Sequence, residues 1–188
     1  MPTRPGPVDW DSTRARGEVN IIKRGDRYAL RVRHADAATR TGFKGLEYWP
    51  GGQDWIIEGR FVPNTAGKVI AVGNIIGTVE DVPNPGAIEF ERGGQTYRLE
   101  ALDGGDGSLF FVFHDRTSGK GSYPAGRFLD AAAPDAKGHV VLDFNKAYNP
   151  PCAFTAYATC PLPPPENRLN LEVVAGEKNY SFEERKHP

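Results

Sequence analysis

Ile88-Glu89-Phe90-Glu91-Arg92-Gly93-Gly94-Gln95-Thr96-Tyr97-Arg98-Leu99-Glu100-Ala101-Leu102 carries the pattern that decides the fold. Ile88 and Phe90 alternate with Glu89 and Glu91, and Tyr97 and Leu99 alternate with Arg98 and Glu100. A period of two sends successive side chains to opposite faces of a pleated strand, so each half reads as a half-buried strand. Gly93-Gly94 supplies the positive φ that a two-residue hairpin turn requires. A second hairpin is predicted over residues 19–32, turning at Gly25-Asp26.

The same reading places strands over residues 55–62, 68–72, 75–81, 109–113, 140–144 and 169–174. Turn clusters separate them: Pro50-Gly51-Gly52, Pro63-Asn64, Pro83-Asn84-Pro85-Gly86, Asp103-Gly104-Gly105-Asp106-Gly107 and Ser118-Gly119. Helix is confined to residues 12–16 and a turn at Lys146-Ala147-Tyr148. The 22 Gly and 16 Pro together make 38 of 188 residues. That exceeds the ~12% of ordinary usage and disfavours helix interiors. The expected class is mainly β, an antiparallel barrel or sandwich of short strands with an ordered Pro-rich loop near the C-terminus. A flexible arm over 1–18, a single β domain over 19–180 and a charged tail over 181–188 complete the expected organisation.

Charge and motifs narrow the function. Twenty-three Lys and Arg face 24 Asp and Glu, a net charge of -1. A nucleic-acid binder needs a basic excess to neutralise phosphates, so none is expected as a partner. The densest basic stretch, from Lys23 to Arg33, is interrupted by Asp26 and reads as a solvated strand face. No apolar run approaches the ~20 residues of a membrane span, and no membrane partner is expected. Residues 1–10 lack the apolar core of a secretory signal, so the expected location is cytoplasmic unless a signal has been removed. A homodimer stays open. Phosphate-binding, dinucleotide-binding, zinc-protease and nucleophile-elbow motifs are all absent, so no cofactor is expected. His114, His139, Cys152 and Cys160 could form a zinc site only by distant convergence, and no metal is expected.

The distinctive segment runs Asp143-Phe144-Asn145-Lys146-Ala147-Tyr148-Asn149-Pro150-Pro151-Cys152-Ala153-Phe154 and continues to Cys160-Pro161-Leu162-Pro163-Pro164-Pro165-Glu166-Asn167. Six of the 16 prolines fall between Pro150 and Pro165, which stiffens the loop before any packing occurs. Its aromatics favour burial, and its asparagines are suited either to satisfying an irregular backbone or to contacting a ligand.

This segment resembles the hallmark of a bacterial family known only as a domain of unknown function. The resemblance covers residues 143–154, 160–169 and 175–177. A second motif is similar to Phe113-His114-Asp115-Arg116-Thr117-Ser118-Gly119 followed by Ser122-Tyr123-Pro124-Ala125-Gly126-Arg127-Phe128, with Ser122 and Pro124 departing from the usual Thr and Gly. Matches at 24–32 and 43–46 extend it across most of the chain. Such a family supplies candidate residues rather than a mechanism.

Among those residues, Arg127 suits clamping a carboxylate or phosphate, or pairing with Asp115 or Asp143 to hold strands together. Asp143 is a candidate general base or a cap on the Tyr148 turn, and Glu166 is a candidate acid/base partner of Glu177. Asp143, Arg127 and Glu166 are therefore the catalytic candidates. Asp115, Tyr123, Asn145, Asn149, Asn167 and Glu177 are the ligand-binding candidates, and Thr117 falls in the same motifs. Cys152 and Cys160 are read as buried thiols, a disulfide, or a reactive pair.

Two functions follow. One is a small-molecule-binding β domain, or an acid/base enzyme of cofactor-independent hydrolase, lyase or isomerase type, for a polar or acidic small molecule. The other is a non-catalytic structural or interaction module in which the motif only stabilises the fold. A cavity holding an unpaired Arg127 would favour the first. A filled interior with the motif side chains bonded to backbone would favour the second.

Overall fold

A computed structural model describes residues 17–24 and 27–180. The predicted helix at 12–16, the Gly25-Asp26 turn and the tail 181–188 lie outside the described residues. The chain divides into two compact units, residues 1–44 and 45–188.

In the first unit, β1 (Gly17–Arg24) and β2 (Arg27–His34) pair only with each other in an antiparallel two-stranded sheet. A short helix α1 (Ala38–Thr41), which no sequence signal marked, follows.

The second unit is built on six antiparallel strands that curl into a half-barrel. They are β3 (Ile56–Pro63), β6 (Gly86–Arg92), β7 (Gln95–Gly105), β8 (Ser108–Phe113), β9 (Arg127–Ala131) and β10 (His139–Asp143). Their order is β10-β3-β6-β7-β8-β9. Two more strands, β4 (Val69–Gly73) and β5 (Val79–Pro83), form a separate ribbon. Mainly β is thus the observed class, with a partly closed sheet.

The β6–β7 hairpin forms in the predicted register, Ile88 opposite Leu99 and Phe90 opposite Tyr97. Gly93 and Gly94 turn it with φ of 59° and 74°, values that side chains disfavour and glycine adopts freely. Phe90 and Tyr97 stack at 5.5 Å. On the opposite face Glu89 bridges Arg60 at 2.7 Å and Arg98 at 3.1 Å.

Both faces of β8 are covered, which explains its continuous apolar run, Leu109-Phe110-Phe111-Val112-Phe113. Leu109, Phe111 and Phe113 join the main core with Trp55, Ile88, Leu99, Leu142 and Phe144. Val112 and Phe110 face a second cluster containing Val72, Tyr123, Phe128, Cys152 and Cys160. The Pro-rich loop is therefore one wall of a core.

Three predicted features differ. Residues 75–78 form a turn, and the strand begins only at Val79, because Asn74 Oδ1 accepts from the Ile76 and Thr78 N–H groups. The Asp103–Gly107 turn cluster is entered late, since β7 runs through Gly105 with a register irregularity between Asp103 and Gly105. Residues 169–174 form no strand at all. Their alternation correctly buries Leu169 and Val173. However, side chains rather than a partner strand take up much of the backbone: Asp115 Oδ2 accepts from the Val173 N–H at 2.7 Å, and Arg127 Nη2 donates to the Val173 carbonyl at 2.9 Å.

Candidate functional site

The motif residues converge on the place where residues 113–128 meet the returning segment 167–179. Arg127 opens β9, and its side chain is fully buried. Nη1 donates to the carbonyls of Ala175 at 2.5 Å and Glu177 at 3.2 Å, and Nη2 donates to that of Val173 at 2.9 Å. Asp115 Oδ1 lies 3.5 Å from Nη2, and the guanidinium carbon sits 5.4 Å from the centre of the Phe113 ring. Burial pulls the Arg127 pKa down, and the carboxylates of Asp115 and Glu177 oppose that shift. A planar donor fork matched to three carbonyls holds an irregular strand edge, the work a neighbouring strand would otherwise do.

Asp115 is filled in the same way. Its carboxylate accepts from Thr117 Oγ1 at 2.8 Å, Ser118 Oγ at 3.2 Å, the Thr117 N–H at 3.4 Å and the Val173 N–H at 2.7 Å. A carboxylate has about four lone-pair positions, so this set leaves little capacity for proton transfer. Thr117 also meets Ser122 Oγ at 2.7 Å, and Ser122 accepts from Trp49 Nε1 at 2.9 Å. Serine in place of the motif's usual Thr thus still joins this network.

Glu177 and Asn149 complete the cluster. Glu177 Oε2 accepts the Asn149 N–H at 2.8 Å, and Asn149 Nδ2 donates to the Lys178 carbonyl at 2.7 Å. Arg127 Nε and Asn149 Oδ1 are buried without a partner.

The other candidates lie apart from this centre. Asp143 caps the 3-10 turn Phe144–Lys146 by accepting the Asn145 N–H at 3.2 Å, and it pairs with Lys146 at 3.2 Å. Asn145 clasps Gly52 through both its N–H, at 2.9 Å, and its carbonyl, at 3.0 Å. Gly51 has φ +58°, and a Cβ there would overlap the Asn145 side chain. Tyr123 donates its hydroxyl to the Cys152 carbonyl at 3.2 Å.

Asn167 is wholly buried and accepts from the Glu100 N–H at 2.7 Å, while donating to the carbonyls of Glu100 at 2.9 Å and Val112 at 3.0 Å. The β7–β8 ladder stops at Leu102 opposite Phe110. Continued by two residues, it would pair Glu100 with Val112, so the Asn167 amide occupies the missing rung. Glu166, its neighbour, is exposed, whereas Glu177 is buried.

Cys152 and Cys160 are both buried free thiols, and the Cys152 N–H donates to Cys160 Sγ at 3.1 Å. Burial and the neighbouring Cys152 push the Cys160 thiol up to about 12, opposite to what a nucleophile needs. His139 pairs with Asp135 at 3.3 Å. Among the described residues, no group of three or more His, Cys, Asp or Glu is placed to hold a metal ion.

Sequence reasoning missed two contributors. Trp49 ties the 45–52 segment to Ser122, and its own N–H donates to the Gly176 carbonyl at 2.9 Å. Asn84 is buried and donates to the Ala101 carbonyl at 2.8 Å. Its place between Pro83 and Pro85 was the available signal, since a polar residue fixed by two prolines is well suited to bridge backbone.

This geometry coincides with a family pattern. Residues 41–178 match the model of the family described as protein of unknown function (DUF1684). The chain belongs to the DUF1684 family. A solved structure similar to this DUF1684 chain is the solution NMR structure of an uncharacterized protein from gene locus rrnAC0354 of Haloarcula marismortui. It is 30% identical, covers 74% of this chain and 78% of its own, and superposes with a TM-score of 0.59. No curated protein matches. Every candidate site residue lies within the DUF1684 match, as does the whole Arg127 cluster. No helix among the described residues is long and apolar enough to cross a membrane.

Proposed function

We propose that this DUF1684 chain is a non-catalytic interaction module whose motif residues secure the fold. The observation that carries this reading is Arg127, whose guanidinium donates to the carbonyls of Val173, Ala175 and Glu177 and lies wholly out of solvent. A residue that clamps a ligand must turn donors toward a cavity. Asp115, Asn149, Asn167 and Asn145 are likewise engaged with backbone groups. An acid/base pair also needs two carboxyls within reach of one substrate, and Asp143 and Glu166 are respectively a turn cap and an exposed residue.

The test is a thermal-shift screen of the full chain against small carboxylates, phosphates and amides, with native mass spectrometry of the purified protein. The module reading expects no specific shift and no retained small molecule. A ligand that raises the melting temperature by several degrees, and loses that effect in Asn145→Ala, would establish the small-molecule reading instead.

A further inference from the structure

The register of β1–β2 sorts its residues by chemistry. Cross-strand partners share a face, so the pairs Val19–Val32, Ile21–Leu30 and Lys23–Tyr28 lie on one side. Glu18–Arg33, Asn20–Arg31 and Ile22–Ala29 lie on the other. On the first side Ile21 is 59% exposed, Tyr28 75%, Leu30 68% and Val32 63%. Single exposed apolar residues are ordinary, but four on one face of one ribbon form a contiguous patch of the kind that marks an interaction surface. A two-stranded hairpin alone is also marginally stable in water, so this ribbon gains from a partner.

Charge identifies the partner. Residues 1–44 contain ten Lys and Arg against five Asp and Glu, whereas residues 45–188 contain 13 against 19. The first unit therefore carries +5 and the second -6, a segregation that the overall value of -1 conceals. Lys23 adjoins the apolar face, its ammonium 5.9 Å from the Tyr28 ring centre. Arg24 and Arg27 pair at the end of the ladder, while Arg31 and Arg33 lie on the opposite face, where Arg33 bridges Glu18 at 3.0 Å. Joining two copies through these apolar faces would bring two units of +5 charge together. A nucleic-acid backbone would neutralise the cations but leave the apolar face in water.

We propose that the β1–β2 ribbon docks on an anionic lipid surface, with Ile21, Tyr28, Leu30 and Val32 at the acyl boundary, Lys23 among the headgroups and the net positive charge of the first unit drawing it there. The apolar face supplies burial, and each Lys or Arg near an anionic leaflet adds attraction that salt screens. The acidic second unit is repelled from the same surface, so the attraction resides in the first. This involves no membrane span.

The experiment is sedimentation of the full chain with vesicles of phosphatidylcholine alone or enriched in phosphatidylglycerol. Binding is expected only to the anionic vesicles, and it should be lost in high salt. Replacing Lys23 and Arg27 by Gln should weaken it roughly thirtyfold. Ile21→Ser with Leu30→Ser should abolish it while leaving the thermal transition of the chain in place. Tyr28→Trp should show a blue-shifted emission on anionic vesicles. The proposal is overturned if the folded chain ignores both vesicle types or binds them equally at high salt. It is likewise overturned if the Ile21/Leu30 variant changes only the oligomeric state or only nucleic-acid retention.

Discussion

Replacing Arg127 by Ala removes a buried cation that serves three carbonyls and one carboxylate at once. Leaving a buried acceptor unpaired costs about 1–3 kcal/mol, and removing one partner of a buried ion pair costs about 3–5 kcal/mol. The carbonyls of Val173, Ala175 and Glu177 would all lose this donor, and Asp115 would lose its nearest cation. These terms share one site and do not add in full, because water entering the vacated volume rehydrates some of the groups. A loss of roughly 5 kcal/mol is therefore expected, comparable with the entire stability of many domains. Urea unfolding followed by tryptophan emission measures it, since Trp55 lies in the main core against Phe144 at 6.1 Å. Arg127→Lys keeps the charge but loses the planar fork, so it should fall between the two. A double cycle with Asp115→Asn should give strong coupling. An Arg127→Ala chain less than about 1 kcal/mol weaker than the original would refute the assignment of this residue to holding the fold.

Other consequences follow from single contacts. Asn167→Asp substitutes an acceptor for the Nδ2 donor that faces the Glu100 and Val112 carbonyls, and should cost about 2–4 kcal/mol by urea unfolding. Gly126→Ala places a Cβ 2.5 Å from the Phe113 carbonyl at φ +100°, and should cost roughly 2–4 kcal/mol with an unchanged denaturant slope. Burial, reinforced by Arg168, holds the His114 pKa below its ordinary value of 6.5. The unfolded chain then binds the proton first, so stability is full above about pH 6.5 and declines as the pH falls toward the depressed folded value. His114→Gln should flatten that part of the pH–stability curve, and an unchanged curve would remove the burial argument.

How much was legible in the sequence depended on which force set each feature. The β6–β7 hairpin was legible because alternation, glycine turn and cross-strand pairing all operate within fifteen consecutive residues. The Pro-rich loop was legible as ordered because proline restriction and aromatic burial are local signals too. The Leu169–Val174 stretch was legible only in its burial. A period of two states which side chains go inward, not what satisfies the backbone between them, and here Asp115 and Arg127 do so from more than forty residues away. β9 escaped notice for a related reason: Arg127-Phe128-Leu129-Asp130-Ala131 opens on a charged residue that lies on the buried face. The separation of charge between the two units was likewise invisible to a whole-chain total.

On the proposed module reading, the motif's work is backbone satisfaction. A half-barrel that ends at β9 and β10 leaves a chain of about thirty-five residues, from Phe144 to Lys178, to cover part of its core without strands of its own. Every buried N–H and carbonyl in that cover needs a partner. Asn167 supplies three bonds where the β7–β8 ladder parts, Arg127 three where no strand follows, and Asn145 two where the cover meets Gly52. The Asn145 and Asn167 amides offer the donor and acceptor of a peptide edge, whereas the Arg127 guanidinium offers donors only and meets three carbonyls. On the proposed module reading, the Asn, Arg and Asp around the proline loop serve the backbone of that segment rather than a substrate.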